Sequence, residues 1–213
     1  MRASEAADTL RRAASAGRLR PGERLPEERA AAHLGVSRNT LREAFAALVA
    51  DGILVREPHR GVVVAAPGAA DVAEIYTARL VIEPAALRLG GGLDEGRLEA
   101  LVARAEALRD NGELNAVADA NQEFHRMLVA AAGSRHLDRE MGRLLALMRL
   151  GFLRIAAAVP GFHARFVADN RAVADLVAAG DRSGAAALLE SQLARTRELL
   201  AGRADGERAS TPA

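Results

Sequence analysis

The 213-residue chain is half hydrophobic and 27% charged, enough for one large domain or two small ones around a packed core. Without cysteine it excludes disulfides, a thiolate nucleophile and a cysteine-ligated metal. No apolar run approaches the ~20 residues that span a bilayer, and the amphipathic start MRASEAADTLRRAA lacks the apolar core of a secretion signal, so the expected compartment is the cytoplasm, with no membrane partner. The formal net charge of +1 is uneven: residues 1–66 carry eleven arginines against eight acids, the remainder eighteen against twenty, and lysine is absent. A basic front hints at a polyanionic partner. Because every basic residue is arginine, position rather than abundance must carry that argument.

Along the chain, residues 4–16 read as a helix ending at Gly17, followed by the turn RLRPGERL. A short helix EERAAAHL starts after Pro26 and stops at Gly35, a natural residue just past a helix end. Ser37 is the expected N-cap of a third helix, whose apolar stripe runs Leu41, Ala44, Phe45, Leu48 and Val49. Two short helices about a glycine turn form a helix-turn-helix. The period then changes: ILVREPHRGVVVA has two β-branched runs about a Pro/Gly tip, a hairpin. The expectation is a winged helix-turn-helix over residues 1–66.

From Ala69 the pattern becomes Ala- and Leu-rich stretches separated by GGGLDEG, DNGE, AAGS, VPGF and AAGD. The overall expectation is therefore a mostly α protein: the winged head, then an antiparallel all-α bundle of about six helices over residues 67–201. Asp94 and Asp181 are the expected N-caps, Pro84 should kink or restart its helix, and residues 202–213 read as a disordered tail.

On the opposite side of the third helix from its apolar stripe stand Arg38, Asn39 and Arg42, where the second helix of a helix-turn-helix meets base edges in the major groove. Arginine suits bidentate contact with guanine and asparagine with adenine, while Ser37 and Thr40 can bind phosphate. The stretch LRRAASAGRLRPGERLPEERAAAHLGVSRNTLREAFAALVADGILVREPHRGVVVA resembles the N-terminal domain of the GntR family of bacterial transcription regulators, most specifically in LRPGERL, LGVSR, LREA and the DG and RG of the wing. The resemblance implies operator contacts from Arg29, Arg38, Thr40 and Arg42, and a wing tip of His59, Arg60 and Gly61 in the neighbouring minor groove. It also implies a homodimer on a pseudo-palindromic double-stranded operator.

In the second half, polar residues interrupt apolar stripes: Val117, Asn121, Phe124, His125, Leu128; then Phe166, Asn170, Val173, Val177; then Leu189, Gln192, Thr196, Leu199. Unpaired burial of such groups costs ~1–3 kcal/mol each, so either they meet each other, water or a ligand, or each is satisfied separately by backbone or at the rim. Arg79 and Glu83 lie four apart on the first bundle helix, either as an ion pair or with Arg79 as a fork for a ligand carboxylate. Arg149 and Arg154 are weaker candidates.

Residues 70–201 resemble the all-helical FCD ligand-binding domain of one GntR branch. Many such domains hold a divalent metal through an Asp and a His four apart, a second His, and a third twenty-two residues later. The matching positions here are Asn121, His125, Asn170 and Gln192, so only one ligand is kept and neither metal nor cofactor is expected. The function so implied is a transcription regulator, a repressor by resemblance, whose small-molecule effector contacts Arg79, Asn121, His125, Arg149, Asn170 and Gln192. A metal site rearranged around Glu123, His136 or His163 is the alternative, and an architectural DNA binder a further one. An enzyme is disfavoured by the absence of cysteine, of a phosphate-binding Gly loop and of a His/carboxylate metal set.

Overall fold

The computed structural model describes residues 1–155 and 162–209 and divides them into two compact units. One holds Met1–Gly68 together with the part of α7 from Gly142 onward; the other holds Ala69–Met141 with α8 and α9. Chain order alone does not suggest that one helix contributes residues to both.

In the first unit, α1 (Ala3–Ser15), α2 (Glu27–Leu34) and α3 (Arg38–Ala50) precede the strands β1 (Leu54–Glu57) and β2 (Gly61–Val64). Helix α2 ends where Gly35 enters the left-handed region at φ 64°, a conformation that costs glycine nothing. Helix α3 begins at Ser37, whose hydroxyl accepts from the Thr40 N–H at 3.1 Å, filling one of the orphan donors of the first turn. Leu41, Ala44, Phe45 and Leu48 are fully buried in a core shared with Ala6, Leu10, Ile53, Leu54 and Val62. Burial of each large apolar side chain favours folding by roughly 1.5–3 kcal/mol. The α7 residues Ala146 and Leu150 complete this core.

The wing is an antiparallel pair in which Leu54 faces Val64 and Glu57 faces Gly61. A third rung, unexpected from sequence, comes from the turn after α1: the Gly22 N–H donates to Val64 O and the Leu25 N–H to Val62 O, both at 2.9 Å. These bonds satisfy the outer edge of β2, which a two-stranded hairpin would leave open.

The second unit is built from α4 (Ala69–Leu89), α5 (Glu95–Asp110), α6 (Leu114–Ala130), the start of α7 (Arg135–Ile155), α8 (Phe162–Ala178) and α9 (Arg182–Ala209). Helix α4 packs chiefly along α9, and α8 touches α5, α6 and α9. The three-residue connections of α5–α6 and α8–α9 make those packed pairs antiparallel. Asp94 caps α5 by accepting from the Arg97 N–H at 2.9 Å, and Asp181 accepts from the Gly184 N–H at 2.8 Å.

Three local expectations are corrected. Helix α4 is not restarted at Pro84 but continues through it to Leu89. A proline forfeits one backbone bond and crowds the preceding turn, and here the burial of Pro84, Ala86 and Leu87 offsets that loss. Helix α9 runs through Gly202 and Gly206 to Ala209, where a disordered tail was expected; each helical glycine costs only about 1 kcal/mol relative to alanine. Leu199 is exposed and Leu200 takes its buried place, because the stripe through Leu189, Leu193 and Thr196 drifts by one position over three turns. The break expected at VPGF lies outside the described residues as far as Phe162.

Gly90 closes α4 against the turn after α6, where an added Cβ would stand 2.6 Å from the Ala131 carbonyl carbon and 2.7 Å from its oxygen. Backbone cannot yield as a side-chain tip would. Gly90→Ala should therefore destabilise the protein by ~1–3 kcal/mol, whereas Gly91→Ala, with nothing within 4 Å of its Cβ, should be nearly neutral; urea unfolding of the two variants checks this.

Candidate functional sites

The first two turns of α3 present Arg38, Asn39 and Arg42 to solvent, and Arg29 is exposed on α2. The helix dipole and capped N-terminus favour anions near Ser37 and Thr40. Those two hydroxyls lie 2.8 Å apart and bond each other, so both are held in place by the cap. Sequence reasoning missed the acids beside the arginines. Arg42 Nε donates to Glu27 Oε2, and Arg38 Nη2 to Glu28 Oε1, each at 2.8 Å. Only the α2–turn–α3 geometry brings Glu27 and Glu28 there, ten to fifteen residues away in sequence.

At the wing tip, Gly61 has φ 80°, as its turn position requires, and His59 has φ 63°. Left-handed backbone is uncommon in residues with a side chain, though histidine tolerates it better than most. Arg60, between them, donates to the Glu57 carboxylate and to Gly22 O at 3.4 Å. The tip is thus tied to both the wing and the turn after α1, with His59, Arg60 and Gly61 all exposed.

The second unit buries a charged centre. Arg79 and Glu83 are both 0% exposed, one turn apart on α4, and Arg79 Nε donates to Glu83 Oε1 at 2.5 Å. The other carboxylate oxygen, Oε2, is 2.7 Å from Nδ1 of His125 on α6. The Tyr76 ring lies 4.6 Å below the guanidinium, a cation–π contact strengthened by desolvation. Burial by itself would push the Glu83 carboxyl upward, but Arg79 and His125 together outweigh it and hold its pKa down to about 2. Burial lowers the His125 pKa, and the attraction of Glu83 does not compensate for desolvation and the nearby Arg79. At neutral pH the imidazole is therefore neutral with Nδ1–H aimed at Glu83, and Arg79 alone balances the carboxylate.

Of the two sequence readings of Arg79, the structure contains the ion pair. One turn from His125, Asn121 Oδ1 accepts from Asn170 Nδ2 on α8 at 2.9 Å. Gln192 Nε2 on α9 donates to Asp169 O at 3.0 Å, and the Thr196 hydroxyl donates to Gln192 O at 3.0 Å. Arg79, His125, Asn121, Asn170 and Gln192 thus share the second unit. Arg149 does not. It is buried within the first unit, its Nε 2.9 Å from where a Cβ on Gly17 would stand. Helical phase explains this placement, since Arg149 adjoins Leu150 and follows Ala146 by three residues, and both of those belong to the winged core. Arg154 donates to Ala66 O at 2.6 Å, also in the first unit.

Among the described residues, no three His, Cys, Asp or Glu side chains converge as metal ligands. Glu123, named for a rearranged site, pairs instead with Arg97 and Arg126 at 2.7 Å each. The side chain of His163 lies outside the described residues. No described helix is long and apolar enough to cross a membrane.

A reading helix with a wing, followed by a helical bundle with a polar centre, defines a winged-helix transcription regulator with an appended all-helical domain. Comparison with known proteins agrees. The profile of the bacterial regulatory proteins of the gntR family matches residues 2–64, and that of the FCD domain matches residues 74–195, more than half of the chain. The chain belongs to the GntR family, in the branch that carries an FCD domain. It is 36% identical over 126 residues to the uncharacterized HTH-type transcriptional regulator YdhC of Bacillus subtilis (strain 168), covering 57% of this chain and 56% of that one. It is 32% identical over 145 residues to a protein of Paenarthrobacter nicotinovorans named a probable D-xylose utilization operon transcriptional repressor, covering 67% of this chain and 64% of that one. The chain thus spans about half to two thirds of the length of these relatives. A solved GntR regulator structure from Rhodococcus sp. RHA1 superposes with a TM-score of 0.79 at 31% identity, covering 94% of this chain and 97% of the other.

The buried centre gives stability a defined pH dependence. An imidazole whose pKa falls on folding lets the unfolded chain take up a proton first, so stability should decline as pH drops below about 6.5. The contribution of Glu83, complete above its ordinary value of 4.5, should be lost further down as pH falls toward about 2. Melting temperature recorded from neutral to about pH 5 should slope downward for the wild type and be flatter for His125→Gln; equal slopes would exclude a buried neutral His125.

Proposed function

We propose that this protein is a DNA-binding transcription regulator acting as a repressor in the bacterial cytoplasm. Its winged head reads a pseudo-palindromic operator, and its FCD domain binds a small-molecule effector that modulates operator binding. The observation that carries the reading is the exposed row Arg38, Asn39 and Arg42 on a capped α3, within a winged fold whose tip displays His59, Arg60 and Gly61. Arg29, Ser37 and Thr40 complete the surface, the arginines and asparagine toward base edges and the hydroxyls toward phosphate. The name of the Paenarthrobacter relative supports repression.

The effector contacts are Asn121, His125, Asn170 and Gln192, with Arg79 behind them. The Arg79 fork already engages Glu83, so a carboxylate effector would add an anion to a centre whose charges balance. Neutral amides favour an uncharged polar effector instead.

Two copies act together. One recognition helix reads only a few base pairs, and a two-fold pair doubles the footprint. Support for pairing comes from α4, where Val81 is 72% and Leu89 85% exposed on one face with Ala78, Ile82 and Ala85 half-buried beside them. Such an apolar stripe on a helix face is a natural self-association surface. Sedimentation should give a dimer for the wild type and a monomer for Val81→Asp.

The DNA reading is tested by titrating a duplex enriched by the wild-type protein from a randomised library. Arg42→Ala should weaken binding by ~1–3 kcal/mol and relax base preference at one position of each half-site. Arg60→Ala should weaken binding to all duplexes and make the log-affinity against log-salt slope shallower by about one. Unchanged affinity and slope would remove these side chains from the interface.

A further inference from the structure

The first two acids of α2 meet the two reading arginines of α3, but the two pairs differ. Glu28 has an 81% exposed side chain and holds Arg38 by a terminal nitrogen, Nη2. Water competes freely there, and the pair must open before Arg38 can offer both terminal nitrogens to a base. Glu27 has a side chain only 31% exposed and opens α2, where the helix dipole favours a carboxylate. It grips Arg42 along the Nε edge, leaving Nη1 and Nη2 to an incoming acceptor.

That geometry selects between the two partners DNA offers. Two parallel N–H groups from Nη1 and Nη2 match O6 and N7 of guanine, so an arginine fixed by Nε loses little on meeting that base edge. A phosphate brings a full negative charge within a Debye length, ~8–10 Å, of the Glu27 carboxylate and is repelled by it. The neutral base edge carries no such penalty. The carboxylate therefore disfavours the sequence-independent contact while orienting the sequence-specific one.

We propose that Glu27 is a specificity-determining positioning residue: it holds Arg42 by its Nε edge as a fork for guanine and makes Arg42 a poor phosphate ligand. The proposal rests on the reading above in which Arg42 faces bases.

The probes are two duplexes: the sequence enriched by the wild-type protein from a randomised library, and a scrambled duplex of equal composition. Glu27→Gln keeps the size of the side chain and removes its charge. It should lower the ratio of the two affinities ~10-fold, within the range one bidentate contact discriminates. The loss should arise partly from tighter binding to the scrambled duplex, with a steeper salt slope there. Base preference should relax at the half-site position that Arg42→Ala also relaxes, and in the Arg42→Ala background Glu27→Gln should change the ratio no further. Glu28→Gln, the same charge change at a freely solvated acid, should tighten both duplexes alike and keep the ratio. Melting temperatures establish that each variant is folded, with Glu27→Ala as a second variant at the site. The proposal is overturned if Glu27→Gln keeps the wild-type ratio or merely behaves like Glu28→Gln. If Arg42→Ala itself keeps the base preference, Arg42 is not a reader, and that distinct outcome removes the underlying reading as well.

Discussion

A guanidinium with no solvent exposure constrains everything around it in the second unit. Arginine does not lose its proton in a protein, so a buried Arg79 must be matched by an anion at hydrogen-bond distance. Glu83, one turn along the same helix, provides it. Once Glu83 is ionised, its second oxygen needs a donor, and His125 provides that from α6. Burying another full charge would cost several kcal/mol, which explains why the imidazole remains neutral and why amides and a hydroxyl, rather than carboxylates, occupy the neighbouring polar positions on α6, α8 and α9. The polar centre is a set of mutual obligations beginning with one cation.

The reading surface follows a different logic. In the open, each ion pair is worth at most ~1 kcal/mol, so Glu27 and Glu28 add little to stability. In the proposed reading, their interest is orientation and competition at an arginine that can meet either phosphate or base. The same residue types therefore do different work in the two units. Buried at α4 they hold a charge that cannot leave, and exposed at α2 and α3 they hold one that water can free. The solvent around each pair, more than its length, decides which.

Much of the reading head is legible in the sequence because its determinants are local. Ser37 before an apolar-periodic run, Gly35 after another, and β-branched runs about a Pro/Gly tip act within a few residues. The placement of Arg38, Asn39 and Arg42 on the exposed face follows from helical period alone. The bundle's polar residues are legible only as an anomaly: the stripes locate Asn121, His125, Asn170 and Gln192, yet they do not tell what each one bonds. Arg149 shows the limit. Its residue type suits a ligand contact, but it folds into the first unit beside Gly17, which no spacing in the sequence reveals.

Composition and periodicity thus determined the class of fold, the order of its helices, the winged head and the identity of the residues that interrupt the apolar faces. Tertiary structure alone decided that Glu27 meets Arg42, that the turn after α1 closes the edge of β2, that α7 contributes to both units, and that Glu83 is held by Arg79 and His125 together. The physical reason is the range of the forces involved. Caps, turns and stripes are written in the few residues that form them, whereas the partner of a buried or exposed charge is chosen by which helices pack, and packing is settled by the whole chain at once.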